Sequence, residues 1–235
     1  MLIRALKISL KKLKCKKIFV SSYSFADIYA TNIKIRANCT FFTLHINNEE
    51  IPIQTKVLGR HHVNNLLLAI AVAKHLNIKE EQIIRHLRLL KNIENRMEYK
   101  KDHNWDIIDD SYNASLDSTL AALEVLSNYK TRRVAILGDV LETGSHAEEI
   151  HRGIGSGVVS KADVLITVGK DARFILDEAL NCGFLKENTR HYKDVEDLLK
   201  DVLDIVRDDD TVLVKASRGI MLDRVVELLD KSYED

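Results

Sequence analysis

The chain has 235 residues, enough for one large domain or two modest ones. Its 46% hydrophobic content and single proline exclude a disordered chain. Lys+Arg 35 balances Asp+Glu 35, which leaves no global field to attract nucleic acid or a membrane surface.

No apolar run approaches the length needed to span a bilayer. Cys15, Cys39 and Cys182 are odd in number and widely spaced, so they give neither a disulfide framework nor a metal pattern. The lysine-rich front end, residues 1–17, lacks a continuous apolar core and a small-residue cleavage site, so it does not read as a signal peptide. A reducing cytoplasm is the expected compartment.

Residues 17–20, 40–46 and 50–54 are β-rich runs. Asn47-Asn48 between the last two predicts a hairpin turn, and Pro52 predicts an edge strand. At Gly59 to Asn65 the texture changes. Residues 66–76 read as a helix too uniformly hydrophobic to lie on a surface. His61 and His62, beside Asn64 and Asn65 at its entrance, read as capping residues before metal ligands. A second helix from about Lys79 aligns Ile83, Leu87 and Leu90, and residues 91–96 read as a domain junction.

From Met97 onward the pattern is regular. Strands are expected at 105–108, 133–137, 163–168, 189–192 and 211–214, with an antiparallel edge strand at 97–100. Between them run helices with apolar stripes: Leu116, Leu120, Leu123 and Leu126 in one, Ile175, Leu176 and Ala179 in another. Val195, Leu198 and Val202 mark a further helix, and Met221, Val225, Leu228 and Leu229 the last. Repeated strand–helix alternation predicts an α/β fold with a mostly parallel, doubly wound sheet.

Ligands of such sheets bind beyond the carboxyl ends of the strands. The residues found there are Asp109-Asp110-Ser111-Tyr112-Asn113, Gly138-Asp139 with Glu142 and Gly144, Gly169-Lys170-Asp171, and Lys215-Ala216-Ser217-Arg218-Gly219. Each alone suits a loop or cap. Four on one rim predict a site. Other motifs fail: Gly153-Ile154-Gly155-Ser156-Gly157-Val158 has valine where a dinucleotide fingerprint needs its third glycine, and it precedes a strand. His146 and His151 fall on different helical faces, and no Gly-x-x-x-x-Gly-Lys-Ser/Thr phosphate loop occurs.

Three segments together resemble the back half of the Mur ligase family. They are Asp109-Asp110-Ser111-Tyr112-Asn113-Ala114, Ile136-Leu137-Gly138-Asp139-Val140-Leu141-Glu142-Thr143-Gly144, and Leu213-Val214-Lys215-Ala216-Ser217-Arg218-Gly219. Gly59 to Asn65 and Asn95-Arg96-Met97 match in the same order. The resemblance implies a partial central, ATPase-type domain over residues 1–95 without its phosphate loop, and a Rossmann-like C-terminal domain over residues 96–235.

It also implies an ATP- and Mg²⁺-dependent amide ligase that joins D-alanyl-D-alanine to a UDP-N-acetylmuramoyl-peptide. Here that enzyme would be present as a fragment inactive alone, with a partner supplying the missing N-terminal half. The alternative is a non-catalytic Rossmann-like binding or regulatory module derived from such a ligase. By the same resemblance Asn65, Arg96 and Asp110 fall on nucleotide-binding positions, and Ser111, Asn113, Lys215, Ser217 and Arg218 on substrate-binding ones. Four departures stand out: His62 for an asparagine, Asn95 for a glycine, Ser115-Leu116 for Asn-Pro, and Ala216 for a glycine.

Overall fold

The computed structural model describes residues 14–36, 38–101 and 104–231; the front end at 1–13 lies outside them. Strands β1 (Val20–Ser21), β2 (Ile28–Arg36), β3 (Cys39–Ile46) and β4 (Glu49–Thr55) form one sheet in that order. β1 pairs parallel to β2, and the other pairs are antiparallel. The β3–β4 hairpin turns at Asn47 and Asn48, with φ of 50° and 66°, a left-handed conformation that asparagine tolerates. Pro52 sits on the outer strand, where a missing donor is tolerated.

Strand β2 lies outside the expected runs. A register shift between Thr31 and Lys34, with Asn32 at φ 52°, breaks the alternation that marks a strand. Helices α1 (Arg60–His75) and α2 (Glu80–Leu89) cover this sheet. Val63, Leu67, Ile70, Ile83 and Leu87 share a core with Ile28, Phe42, Leu44 and Ile53.

Two expectations about α1 fail. It begins at Arg60, after Gly59 at φ 101°, and no side chain caps it, so His61 and His62 are helical residues and not caps. Nor is it fully buried: Leu68, Val72 and Leu76 are 52%, 59% and 65% exposed and, four residues apart, form a single stripe. Leu90 lies beyond the end of α2 and is exposed.

The second sheet contains β5 (Glu98–Lys101), β6 (Asp106–Asp109), β7 (Arg133–Gly138), β8 (Val164–Val168), β9 (Thr189–Tyr192) and β10 (Thr211–Lys215). Its order is β5-β6-β10-β7-β8-β9, parallel except for β5. Helices α3 (Leu116–Leu126), α4 (Ala147–Val158) and α5 (Arg173–Asn181) share one core with this sheet; α6 (Val195–Ile205) and α7 (Asp223–Lys231) share the other. Alternate strand residues feed the two cores: Ile108 and Leu137 one, Ile107 and Ile136 the other. Met221 precedes α7 in a left-handed cap at φ 59°, so it does not extend that helix's apolar stripe.

The fingerprint-like glycines lie inside α4 and explain themselves by packing. A β-carbon on Gly155 would sit 2.4 Å from the Ile175 carbonyl oxygen, and one on Gly157 would sit 2.2 Å from a Leu120 methyl. They let α4 approach its two neighbours closely.

The two sheets do not stand apart. Leu58, fully buried, belongs to the same core cluster as Met97, Ile108 and Val125. Asn92 stitches the junction: its Oδ1 accepts the Leu58 N–H at 3.3 Å and its Nδ2 donates to the Met97 carbonyl. Because β10 inserts between β6 and β7, the chain changes sheet face there, and a crevice opens at those strands' carboxyl ends.

Candidate active-site cleft

Three strand ends meet at this crevice: Asp109-Asp110 at the end of β6, Gly138-Asp139 at the end of β7, and Ala216-Ser217 after β10. Asp110 and Lys215 are the electrostatic centre. Lys215 is 2% exposed, and its Nζ lies 2.5 Å from Asp110 Oδ2 while also donating to the Asn113 carbonyl at 2.9 Å. Asp110 Oδ1 accepts the Met97 N–H at 3.0 Å. Burial raises the Asp110 pKa, and the Lys215 ammonium pulls it back.

Asp109 is fully buried and turned inward. Its Oδ1 accepts the Ser111 hydroxyl at 2.6 Å and the Ser111 N–H at 3.1 Å. Its Oδ2 has no hydrogen bond and lies 4.0 Å from Lys100 Nζ. Burial pushes its pKa up, with Ser111 and Lys100 opposing.

In front of these groups lies a cleft of about 670 Å³, whose lining includes Tyr112, Asn113, Leu141, Glu142, Ser217 and Arg218. Ser217 Oγ accepts the Leu141 N–H at 2.9 Å, and the Ser217 N–H donates to Asp139 O at 3.0 Å. The buried His151 ring braces the same wall. Its Nε2 accepts the Val140 N–H at 2.9 Å, so its Nδ1 is the donor to Ala147 O at 2.6 Å. Asp139 is structural: Oδ1 accepts the Ala172 N–H at 2.6 Å, and a β-carbon on Gly169 would lie within 2.5 Å of its carboxylate.

Tyr112 stands at the cleft's mouth with two arginines over its ring. The Arg96 guanidinium lies 4.0 Å from the ring centroid and that of Arg218 lies 5.3 Å from it. The entrance of α1 faces this corner. The His61 and His62 ring centroids are 4.2 Å apart. The His61 pKa is pushed down to about 4 by burial, then by His62 and Lys215. That of His62 is lowered by burial, then by Arg96 and Lys215.

Of the residues singled out from sequence, Asp110, Asn113 and Lys215 come together directly, and Arg96 and Arg218 both lie over the Tyr112 ring. Ser217 lines the cleft, whereas Ser111 faces Asp109. Asn65 is exposed on α1, one turn beyond His62, and makes no hydrogen bond to the others. Sequence reasoning passed over Tyr112 and His151. Tyr112 was signalled only by its place in the polar run, and His151 only as a histidine on a helix face.

The arrangement matches known sequences along its length. The profile described as "Mur ligase, glutamate ligase domain" matches residues 95–218, and "Mur ligase middle domain" matches residues 2–73. The chain belongs to the Mur ligase family.

It is 36% identical over 181 residues to UDP-N-acetylmuramoyl-tripeptide–D-alanyl-D-alanine ligase of Bacillus subtilis, covering 75% of this chain and 39% of that one. It is 29% identical over 211 residues to the enzyme of the same name from Escherichia coli, covering 88% and 45%. Among solved structures, MurF ligase of Thermotoga maritima in complex with ADP shares its fold. The TM-score is 0.82 at 20% identity, over 97% of this chain and 51% of that one. The chain thus spans about half the length of these relatives, or less.

The fold accommodates three departures from the family pattern. Asn95 adopts φ 58°, a conformation natural to the usual glycine and tolerated by asparagine. Ser115 caps α3, accepting the Ser118 N–H while Ser118 Oγ accepts the Ser115 N–H at 3.0 Å. The Ala216 methyl occupies the space above Gly138, where a further β-carbon would be 2.6 Å away.

No helix among the described residues is long and apolar enough to cross a membrane. Nor do those residues hold a group of three or more His, Cys, Asp or Glu able to bind a metal ion.

Proposed function

We propose that this chain supplies the C-terminal half of a cytoplasmic, ATP-dependent amide ligase of peptidoglycan precursor synthesis. It would bind D-alanyl-D-alanine for joining to UDP-N-acetylmuramoyl-tripeptide. The observation that carries this is the cleft at the β6–β10–β7 switch point, with the exposed guanidinium of Arg218 at its mouth and no carboxylate paired to it among the described residues. Arg218 would take the dipeptide carboxylate in a two-pronged grip. Ser217 and the Asn113 side chain would orient the dipeptide amine toward the acyl group it attacks.

In this reading Asn65 and Arg96 face the nucleotide, with Asp110 at the same corner. Lys215 and Ser111 act indirectly, through Asp110 and Asp109. ATP, when bound, supplies the phosphoryl group that activates the substrate carboxylate. Its phosphate cradle and Mg²⁺ would come from the half of the ligase that this chain lacks, so the chain alone would neither hydrolyse ATP nor ligate dipeptide. Residues 1–95 serve as the remainder of a central ATPase-type domain and residues 96–235 as the C-terminal domain.

The test is titration calorimetry of the purified chain with D-alanyl-D-alanine, alone and after mixing with the N-terminal half of the Bacillus subtilis relative. Saturable binding that weakens in Arg218→Ala is expected. No binding in either setting would overturn the assignment. Phosphate release by the chain alone would overturn its dependence on a second half.

A further inference from the structure

Tyr112 carries two arginines, Arg96 and Arg218, over its ring. Arg96 comes from the junction before β5 and Arg218 from the turn after β10, and this ring brings their guanidinium groups together. The two groups can be no farther apart than the sum of their distances to one centroid, 4.0 and 5.3 Å. Both arginines and the tyrosine are exposed. Among the described residues neither arginine forms an ion pair. Glu142 lines the same cleft, and Glu98 accepts the Asn95 N–H at 3.3 Å, yet neither reaches a guanidinium.

Two like charges gathered on one ring repel each other, weakly in solvent, and an anion lying between them relieves that repulsion. Guanidinium forks match the oxygens of phosphate and carboxylate, and stacking on an aromatic face fixes the plane in which the fork points. A backbone hydrogen bond anchors the platform. The Tyr112 N–H donates to the Asn95 carbonyl at 3.1 Å, tying the backbone of Tyr112 to the residue preceding Arg96.

We infer that Tyr112 is a positioning residue that holds Arg96 and Arg218 as one clamp for a small ligand rich in anionic oxygens, of the diphosphate class. The ring orders two cations that would otherwise sample many rotamers. This inference deepens the ligase reading by placing the phosphate side and the dipeptide side of the site at one residue. The clamp would also stand without dipeptide binding.

The test is titration of the ¹⁵N-labelled full chain with sodium pyrophosphate at fixed ionic strength, following the arginine Nε–H resonances. In the parent chain, Arg96 and Arg218 should shift together with a single dissociation constant. Tyr112→Phe, which keeps the ring, should bind within about twofold of the parent, while Tyr112→Leu should weaken binding about tenfold. The melting temperature of each variant separates this from a folding defect. Should Tyr112→Leu fail to fold, Arg96→Lys takes its place: it keeps the charge, loses the planar stack, and should lose affinity and the common titration. Independent titration of the two arginines, unchanged affinity in Tyr112→Leu or Arg96→Lys, or no response to pyrophosphate would each overturn the clamp. A clamp confirmed here while D-alanyl-D-alanine fails to bind would refute the ligase reading alone.

Discussion

The Met97 amide donates to Asp110 Oδ1 at 3.0 Å, so the junction between the two sheets is held by the same carboxylate that pairs with Lys215. Met97 is fully buried at φ 53°, a conformation that costs a bulky residue on the order of 1–3 kcal/mol. Asp110 helps hold it there. Asp110→Asn should therefore lose about 3 kcal/mol in urea unfolding, because it leaves a buried ammonium without its charge partner. Joining it to Lys215→Met should recover much of that loss, with a coupling energy above about 1 kcal/mol. Additive losses would show that the 2.5 Å pair contributes little.

Acid should weaken the fold through His61. Its folded-state pKa is about 4 against an ordinary 6.5, so between those values the unfolded chain binds a proton that the folded chain refuses. The His61 contribution is complete above pH 6.5 and is lost as pH falls toward 4. His61→Gln should thus lose about 1–2 kcal/mol less stability than the parent between about pH 7 and about pH 5. Parallel pH profiles for the two proteins would place the buried ring elsewhere.

The α4 glycines should rank by what a methyl would strike. Alanine normally gains about 1 kcal/mol over glycine inside a helix. At Gly155 the new carbon meets backbone, the Ile175 oxygen at 2.4 Å, so Gly155→Ala should cost about 1–3 kcal/mol despite that gain. At Gly153 it meets only a Leu116 methyl at 3.0 Å, so Gly153→Ala should be neutral or mildly stabilising. Chemical denaturation of both variants checks the order, and equal effects would argue against close packing of α4 on α5.

What was legible in the sequence follows from how local each signal is. The parallel strands of the second sheet read clearly because each is a short apolar run between turns, as Ile107-Ile108 and Leu213-Val214 are. Strand β2 did not, since its bulge at Thr31 to Lys34 destroys a period of two. The rim was legible as four polar segments, but its wiring was not. Nothing local tells that Lys215 reaches back to Asp110, or that Arg218 and Arg96 converge on Tyr112. Hydrophobicity in α1 announced contact without naming the partner: Leu67 and Ile70 face the sheet while Leu68 and Val72 face outward.

That outward stripe gives the last expectation. Leu68, Val72 and Leu76 are exposed in a chain covering 39% to 45% of the relatives' length. Apolar stripes of this kind mark surfaces that another element covers. Leu68→Glu combined with Val72→Glu should leave the chain's own unfolding free energy within about 0.5 kcal/mol, because neither side chain is packed in the core. The same pair should abolish co-purification with the N-terminal half of the Bacillus subtilis relative, since covering the stripe would then bury two carboxylates. Assembly as efficient as that of the parent chain would show that the relative's N-terminal half packs on a different face.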